Sequence, residues 1–246
     1  MQRYFGKLDD QGNIILLEED IFHVIKVMRA RVNDLLEVVI DEQVILASIH
    51  NLHPFSLKVV ERRHEDRELK GLITLYSAMP KGDKLDWVLQ KATELGVSRI
   101  ILLSSKRTIV KVDEMDKPKK IIRYQKILKE ASEQAKRTKI PLLVDILDFS
   151  FIEKASGDIK LIADEDVAGK TTGFMQILKK IIPGQSIDIL VGPEGGFERS
   201  EVKTAVSHGF QTISLGKRIL RSETAVINLL SIISFMMEGG EQNGHL

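Results

Sequence analysis

Two glycine-marked loops dominate the stretch IDILVGPEGGFERSEVKTAVSHGFQTISLGKRILRSETA, residues 187 to 225, which decides the fold. Each loop follows a short apolar run typical of a buried strand, and each leads toward a helix. In the first loop, residues 192–196, three glycines allow positive φ and a close approach of the backbone to a ligand. The second loop begins at Gly216, after a strand predicted around residues 213–215. Because ligands in α/β sheets bind outside the carboxyl ends of strands, the stretch predicts a binding crevice.

The chain around this stretch divides into two predicted domains. Residues 1–68 contain short β-rich runs separated by turn residues, which predicts a small barrel with one helix that begins after Asp20 as its N-cap. The charged run 61–68 is typical of a solvated strand end and a linker, so the boundary is placed there. From residue 69 to 246 strand and helix patterns alternate, which predicts an α/β domain with a parallel sheet. Its predicted helices cover residues 83–95, 117–137, 171–182 and 223–238, and Gly96 is expected to end the first of them. Residues 35–40 of the first domain and 159–163 of the second are among the predicted strands.

Composition excludes several classes of protein. The chain has 246 residues with 43% hydrophobic and 29% charged content, which is ordinary for a globular protein. It has no cysteine, so disulfides, thiolate metal sites and cysteine nucleophiles are excluded. The six histidines show no metal-binding spacing, and no metal is expected. No apolar run is long enough to span a bilayer and the N-terminus lacks a signal-peptide pattern, so we expect no membrane association and a cytoplasmic location.

Two helical segments carry further information. Residues 117–139 hold nine basic and two acidic residues, a net charge of +7, and Lys106 and Arg107 precede them. This pattern is compatible with a solvated outer face or with a surface that binds a phosphate backbone. The last helix, residues 223–238, is apolar almost all round, which predicts a position in the core or in a subunit interface.

Four motifs occur together and in order: KGDKLDWVLQKATELGV (81–97), EASEQAKR (130–137), LVGPEGGF (190–197) and LGKRILRSETAV (215–226). With HVIKVMR (23–29), they closely resemble the bacterial ribosomal RNA small-subunit methyltransferase E family. The resemblance implies S-adenosylmethionine-dependent methylation of N3 of a uridine in 16S rRNA of the small ribosomal subunit. It also implies a SPOUT-type parallel sheet with a C-terminal trefoil knot, a PUA-like RNA-binding barrel before it, and a homodimer formed through the knotted domain.

The resemblance assigns roles to particular residues. The predicted cofactor-binding residues are Leu190, Val191, Gly192, Pro193, Glu194, Gly195, Gly196, Leu215, Gly216, Arg218, Ile219, Leu220, Thr224 and Ala225. The predicted catalytic residues are Arg221, Glu194 and Glu223. The predicted RNA-binding residues are Arg3, Arg29, Arg107, Gln134 and Arg137.

The chemistry of the implied reaction separates the catalytic candidates. Uridine N3 carries a proton at neutral pH, so the enzyme must accept that proton or stabilise the resulting anion. Arg221 is our first choice for stabilising the anion. Glu194 or Glu223 would accept the proton, and the alternative for each is a carboxylate that only fixes loop geometry.

The chain departs from the family pattern at two positions. Glu198 stands where family members commonly have serine, which would weaken the cap of the following helix. Ser222 replaces the usual threonine and keeps its hydroxyl group. Two other functions stay open at this point: a SPOUT 2′-O-ribose methyltransferase, and a non-catalytic RNA-binding factor in ribosome assembly.

Overall fold

A computed structural model describes residues 1–110, 112–167, 169 and 172–239. The chain divides into two compact units, Met1–Glu68 with Lys129–Ile140, and Leu69–Leu128 with Pro141–Leu246. Residues 129–140 belong to the second predicted domain by sequence, and they pack within the first unit. The functional division at residue 68 stays a prediction.

The first unit is built on a mixed four-stranded sheet in the order β1-β4-β5-β6. These strands are β1 (Arg3–Phe5), β4 (Leu35–Ile40), β5 (Gln43–Leu52) and β6 (Phe55–Arg63). Strand β1 runs parallel to β4, and the other neighbours are antiparallel. A separate antiparallel pair joins β2 (Lys7–Leu8) to β3 (Ile14–Ile15). The sheet is therefore mixed, and its core includes Val38 and Ile45, both fully buried.

The helix of the first unit begins earlier than predicted. Helix α1 covers Glu18–Phe22 with Leu17 at the N-cap position, and a π-helical turn, His23–Val27, continues it. The prediction that Asp20 caps this helix is wrong, because Asp20 lies inside it. The Asp20 side chain is buried and accepts a hydrogen bond from Lys129 Nζ at 2.7 Å. A buried ion pair, not a cap, explains this aspartate.

The second unit contains a six-stranded sheet in the order β12-β10-β11-β7-β8-β9, and every neighbouring pair is parallel. Its strands are β7 (Leu72–Ala78), β8 (Arg99–Ser104), β9 (Leu142–Asp148), β10 (Ile159–Ala163), β11 (Ser186–Val191) and β12 (Gln211–Ile213). The predicted parallel sheet is confirmed. Because both faces of such a sheet are covered, its strands are largely apolar, and in β11 Ile187, Ile189 and Leu190 are fully buried.

Helices cover both faces of this sheet. The helices are α2 (Lys84–Glu94), α3 (Lys117–Gln134), α4 (Thr172–Leu178), α5 (Arg199–Ser207) and α6 (Ser222–Gly239). One core includes side chains of α2, α3, α4 and α6, and a second core includes those of α5. Thr171, the predicted start of α4, lies outside the described residues. Gly96 follows α2 with φ 87°, which matches its predicted role after the helix end.

Helix α6 is less uniformly covered than its sequence suggests. Val226, Leu229 and Ile233 are buried, whereas Phe235 is 72% exposed. The helix therefore has one face in the core and one face outside it. Among the described residues, no helix combines the length and the apolar character needed to cross a membrane.

Candidate functional site

A cleft lies at the carboxyl ends of β10, β11 and β12, between the two glycine loops. Its empty volume, including the part open to solvent, is about 750 Å³. The first loop contributes Gly192 and Glu194, and the second contributes Gly216 and Leu220. The two loops therefore face one binding site.

The predicted cofactor residues line this cleft, with the exception of Leu190, Gly195 and Thr224. Leu190 is fully buried in the core beneath α5. Gly195 presents its carbonyl oxygen to Arg107 Nη1 at 2.8 Å, and Thr224 is exposed on the first turn of α6.

The cleft has further lining residues that were not among the predicted cofactor-binding residues: Ala163, Asp164, Glu165, Phe197, Arg199, Val202, Ile213, Ser214 and Ser222. Three of them come from the end of β10, whose residue Ile162 is paired in register with Leu190 of β11. The strand at 159–163 was predicted, but its position beside β11 was not, because strand order depends on contacts distant in sequence.

Close packing explains two glycines of the first loop. A Cβ atom on Gly192 would lie 3.1 Å from Cδ2 of the buried Phe197. Gly196 has φ +65°, and its Cβ would lie 3.1 Å from Glu165 Oε1. Side chains at these positions would therefore displace the wall of the cleft.

Hydroxyl groups hold the two loops in place. Ser222 Oγ donates a 2.6 Å hydrogen bond to the carbonyl oxygen of Gly192, which joins the start of α6 to the first loop. In the second loop, Ser214 Oγ donates to the carbonyl oxygen of Gly216 at 3.1 Å and accepts the N–H of Gly169 at 3.0 Å. The two serine side chains thus fix the backbone of both loops and with it the shape of the cleft.

Helix α5 has an N-terminal cap, although Glu198 stands where family members commonly have serine. Glu198 and Glu201 form a capping box, in which Glu201 Oε2 accepts the N–H of Glu198 at 2.9 Å. Glu201 Oε1 also accepts the N–H of Lys106 at 2.9 Å. The glutamate pair therefore caps the helix without serine.

Two carboxylates at the cleft are held by cations. Arg199 forms a bidentate pair with the buried Asp164, with N···O distances of 3.0 and 2.8 Å. Burial raises the pKa of Asp164, but the hydrogen bonds from Arg199 and from the N–H of Asp166 outweigh it, so the pKa lies below its ordinary value. Burial likewise raises the pKa of Glu194, but backbone hydrogen bonds and the charge of Lys84 lower it overall. Both groups are ionised at neutral pH.

The catalytic candidates have different surroundings. Arg221 is exposed just before α6, and its carbonyl oxygen accepts the N–H of Ala225 at 2.8 Å. Glu194 lines the cleft, and Glu223 is buried beside it. Lys84, which the motif analysis did not single out, lies between the two glutamates. Its Nζ is 3.6 Å from Glu194 Oε1 and 3.3 Å from Glu223 Oε1.

Two of the predicted RNA-binding residues are buried and paired with carboxylates. Arg3 is 1% exposed, and its guanidinium pairs with Glu37 at 3.0 Å and Glu65 at 2.8 Å. Arg137 is 4% exposed and pairs with Glu68 at 2.5 Å. In the first unit these arginines are held by carboxylates, and their contact with phosphates stays a prediction.

The other three predicted RNA-binding residues, Arg29, Arg107 and Gln134, are exposed. The basic segment around α3 is less positive than its sequence suggests. Carboxylates from other elements pair with several of its cations, in the pairs Lys117–Asp145, Arg123–Asp86, Lys129–Asp20, Lys136–Glu37 and Lys139–Glu42. In the described part of the chain, no group of three or more histidine, aspartate or glutamate side chains is placed to hold a metal ion.

Comparison with known proteins gives a consistent result. A family model described as RNA methyltransferase domain matches residues 67–234. The ribosomal RNA small subunit methyltransferase E of Bacillus subtilis is 34% identical, with 97% of this chain and 98% of that protein covered.

Solved structures of similar proteins include two with the methyl donor bound. A putative methyltransferase from Legionella pneumophila in complex with the cofactor SAM has a TM-score of 0.85 at 30% identity, covering 95% of this chain and 96% of that one. A ribosomal RNA small subunit methyltransferase E from Neisseria gonorrhoeae bound to S-adenosyl methionine has a TM-score of 0.82 at 29% identity, covering 96% and 98%.

Proposed function

This chain belongs to the ribosomal RNA small subunit methyltransferase E family, and we propose that it methylates N3 of a uridine in 16S ribosomal RNA with S-adenosylmethionine as the methyl donor. The observation that carries the proposal is the cleft between the two glycine loops, in a chain that is similar over nearly its whole length to methyltransferases solved with this cofactor.

The residues of the cleft fit S-adenosylmethionine. Val191, Leu220 and Ala225 offer apolar surface, and the loops offer backbone groups for hydrogen bonds. Glu194 and Asp164 also present carboxylates at the cleft, where they pair with Lys84 and Arg199. We propose that the cofactor-binding residues predicted from sequence that line the cleft hold this ligand.

In the proposed reaction, the cofactor, an arginine and a carboxylate have separate roles. Bound S-adenosylmethionine supplies a methyl group on a sulfonium centre. Arg221 stabilises the negative charge that develops on the uracil oxygens when N3 loses its proton. A carboxylate accepts that proton. The lowered pKa of Glu194 weakens it as a base. Glu223 is favoured because its Oε2 has no hydrogen-bond partner among the described residues.

We also propose the finer architecture that the family implies. Residues 1–68 would form a PUA-like RNA-binding barrel, and residues 69–246 a SPOUT methyltransferase domain with a C-terminal trefoil knot. The strand order is compatible with a knotted path of the chain. After β11, which lies inside the sheet, the chain crosses β10 and forms the edge strand β12. The knotted domain would form the homodimer. Arg29, Arg107 and Gln134 would contact 16S rRNA or the assembled small subunit in the cytoplasm.

One experiment tests the reaction. The protein is incubated with S-adenosylmethionine and unmodified small-subunit rRNA or subunits, and the modified nucleoside is identified by mass spectrometry. We expect N3-methyluridine. A 2′-O-methylated nucleoside would identify a ribose methyltransferase, and no methylation of either substrate would favour a non-catalytic assembly factor.

The role of Arg221 is tested in the same assay. Arg221→Ala should lower the single-turnover rate by about 100-fold or more, because charge stabilisation in the transition state is lost. Affinity for S-adenosylmethionine, measured by isothermal titration calorimetry, should stay close to that of the wild type. Arg99→Ala is the control, since Arg99 is exposed at the opposite end of the sheet. A near-wild-type rate for Arg221→Ala would refute the assignment.

A further inference from the structure

Lys84 is the cation shared by the two candidate carboxylates. It is the first residue of α2, and its Nζ lies 3.6 Å from Glu194 Oε1 and 3.3 Å from Glu223 Oε1. Glu194 belongs to the first glycine loop, and Glu223 belongs to the first turn of α6. One ammonium group therefore connects three separate segments of the chain at the edge of the cleft.

The Glu223 carboxylate needs this cation. Its side chain is only 10% exposed, so its charge is poorly solvated. The start of α6 supplies some compensation, because the positive end of a helix dipole favours an anion. Lys84 supplies the only ion pair of Glu223 among the described residues, and it reaches Oε1 alone. Oε2 is left buried and without a hydrogen-bond partner in the described chain.

The position of Glu194 is fixed from the same side. Its Oε1 accepts the N–H of Lys81 at 3.1 Å, in the turn that precedes Lys84. The first loop is also joined to α6 by the bond from Ser222 Oγ to the carbonyl oxygen of Gly192. Residues 81–84 and the start of α6 thus hold the first loop from two directions.

We propose that Lys84 is a positioning residue for methyl transfer, which holds the carboxylates of Glu194 and Glu223 in place at the edge of the cleft. The inference rests on the proposed function. In the step it supports, the N3–H proton passes to the Glu223 carboxylate, the N3 electron pair forms the new bond to the methyl carbon, and the electrons of the broken S–C bond stay on sulfur. Lys84 touches neither reactant and acts through the two glutamates.

The test uses the full-length protein and compares Lys84→Met with Lys84→Arg. Lys84→Met keeps the aliphatic stem and removes the charge, so kcat should fall by about tenfold or more while the KM for S-adenosylmethionine changes by less than about threefold. Lys84→Arg should restore a large part of kcat. The matched control is Lys91→Met, which removes a similarly exposed lysine from the same helix, where it pairs with Glu94 at 2.8 Å.

The pH profile gives a readout that a purely structural lysine would not change. Loss of a neighbouring positive charge makes a carboxylate easier to protonate. The acid limb of kcat should therefore move to higher pH by about half a unit in Lys84→Met, and stay in place in Lys91→Met. A double-mutant cycle completes the test: in a Glu223→Gln background, Lys84→Met should have little further effect on kcat.

The outcomes separate two failures. If the wild type forms no N3-methyluridine, the proposed function fails. If the wild type is active and Lys84→Met keeps kcat within about twofold of Lys91→Met, or loses affinity for S-adenosylmethionine without a change in the pH profile, the positioning role of Lys84 is refuted. Should Lys84→Met lower stability, the cycle still decides, because an effect that persists undiminished in the Glu223→Gln background contradicts a role through Glu223.

Discussion

Single residues at the cleft carry charges that only their partners make stable. Asp164 is buried, and Arg199 donates hydrogen bonds to both of its carboxylate oxygens. The Glu194 carboxylate accepts the backbone N–H of Lys81 and lies near Lys84. Both carboxyl groups have a lowered pKa, so they stay ionised at neutral pH. The wall of the cleft therefore carries carboxylates that their cationic partners hold in fixed positions. The motif LVGPEGGF indicated Glu194 from the sequence. Asp164 was not predicted, because its partner Arg199 is 35 positions away.

The glycine at position 196 gives a test at this scale. Gly196→Ala and Gly184→Ala both place a side chain at positive φ, +65° and +91°, so each should lose about 1 kcal/mol of stability in urea unfolding. The added Cβ meets Glu165 at 3.1 Å in the first case and nothing within 4 Å in the second. Gly196→Ala alone should weaken S-adenosylmethionine binding, by about tenfold in calorimetry. Equal affinities of the two variants would contradict a role for this loop in binding.

Secondary-structure elements were predictable where local pattern determines them. Strands β4 and β10 have the predicted bounds, and α2 ends before the predicted glycine. The strand before the second loop was predicted at residues 213–215 but covers Gln211–Ile213, because the Ser214 hydroxyl bonds to the loop and ends the strand. Asp20 was misread as a cap because its partner, Lys129, is distant in sequence. Local signals therefore locate elements, and long-range pairs correct their ends.

The start of α6 is tested through Ser222. Ser222→Ala removes the donor to the Gly192 carbonyl oxygen and leaves that group without this bond, so it should cost about 1 to 3 kcal/mol in urea unfolding and weaken S-adenosylmethionine binding. Ser222→Thr keeps the hydroxyl and should retain most of both. Ser231→Ala, at an exposed position of the same helix, should change stability by less than about 0.5 kcal/mol. If the two alanine variants behave alike, the bond does not hold the loop to the helix.

For the molecule as a whole, the sequence predicts which residues form the core better than it predicts the charge of the surface. The apolar residues of 187–191 and one face of α6 lie in the core. By contrast, the segment 117–139 counts as strongly basic only when it is read alone, because carboxylates such as Asp86, Asp145 and Glu68 neutralise its cations in the fold. Arg3 is an extreme case, since a terminal arginine proves to be fully paired and buried. Net charge of a segment therefore predicts a nucleic-acid surface only after its pairing is known.

The outer face of α6 decides the last prediction, which concerns assembly. Phe235 is 72% exposed on a helix whose opposite face is buried, and the proposed homodimer would cover it. Because a two-fold interface uses the same patch twice, Phe235→Glu should make the free energy of dimer formation less favourable by about 3 kcal/mol or more, through the loss of buried apolar surface. It should therefore shift a dimer to monomers in sedimentation velocity. Thermal stability should then lose its dependence on protein concentration. Ile122→Glu, which changes a 68% exposed residue on α3, is the control and should leave assembly unchanged. A monomeric wild type, or a Phe235→Glu protein that stays dimeric like the control, would show that α6 is not the interface.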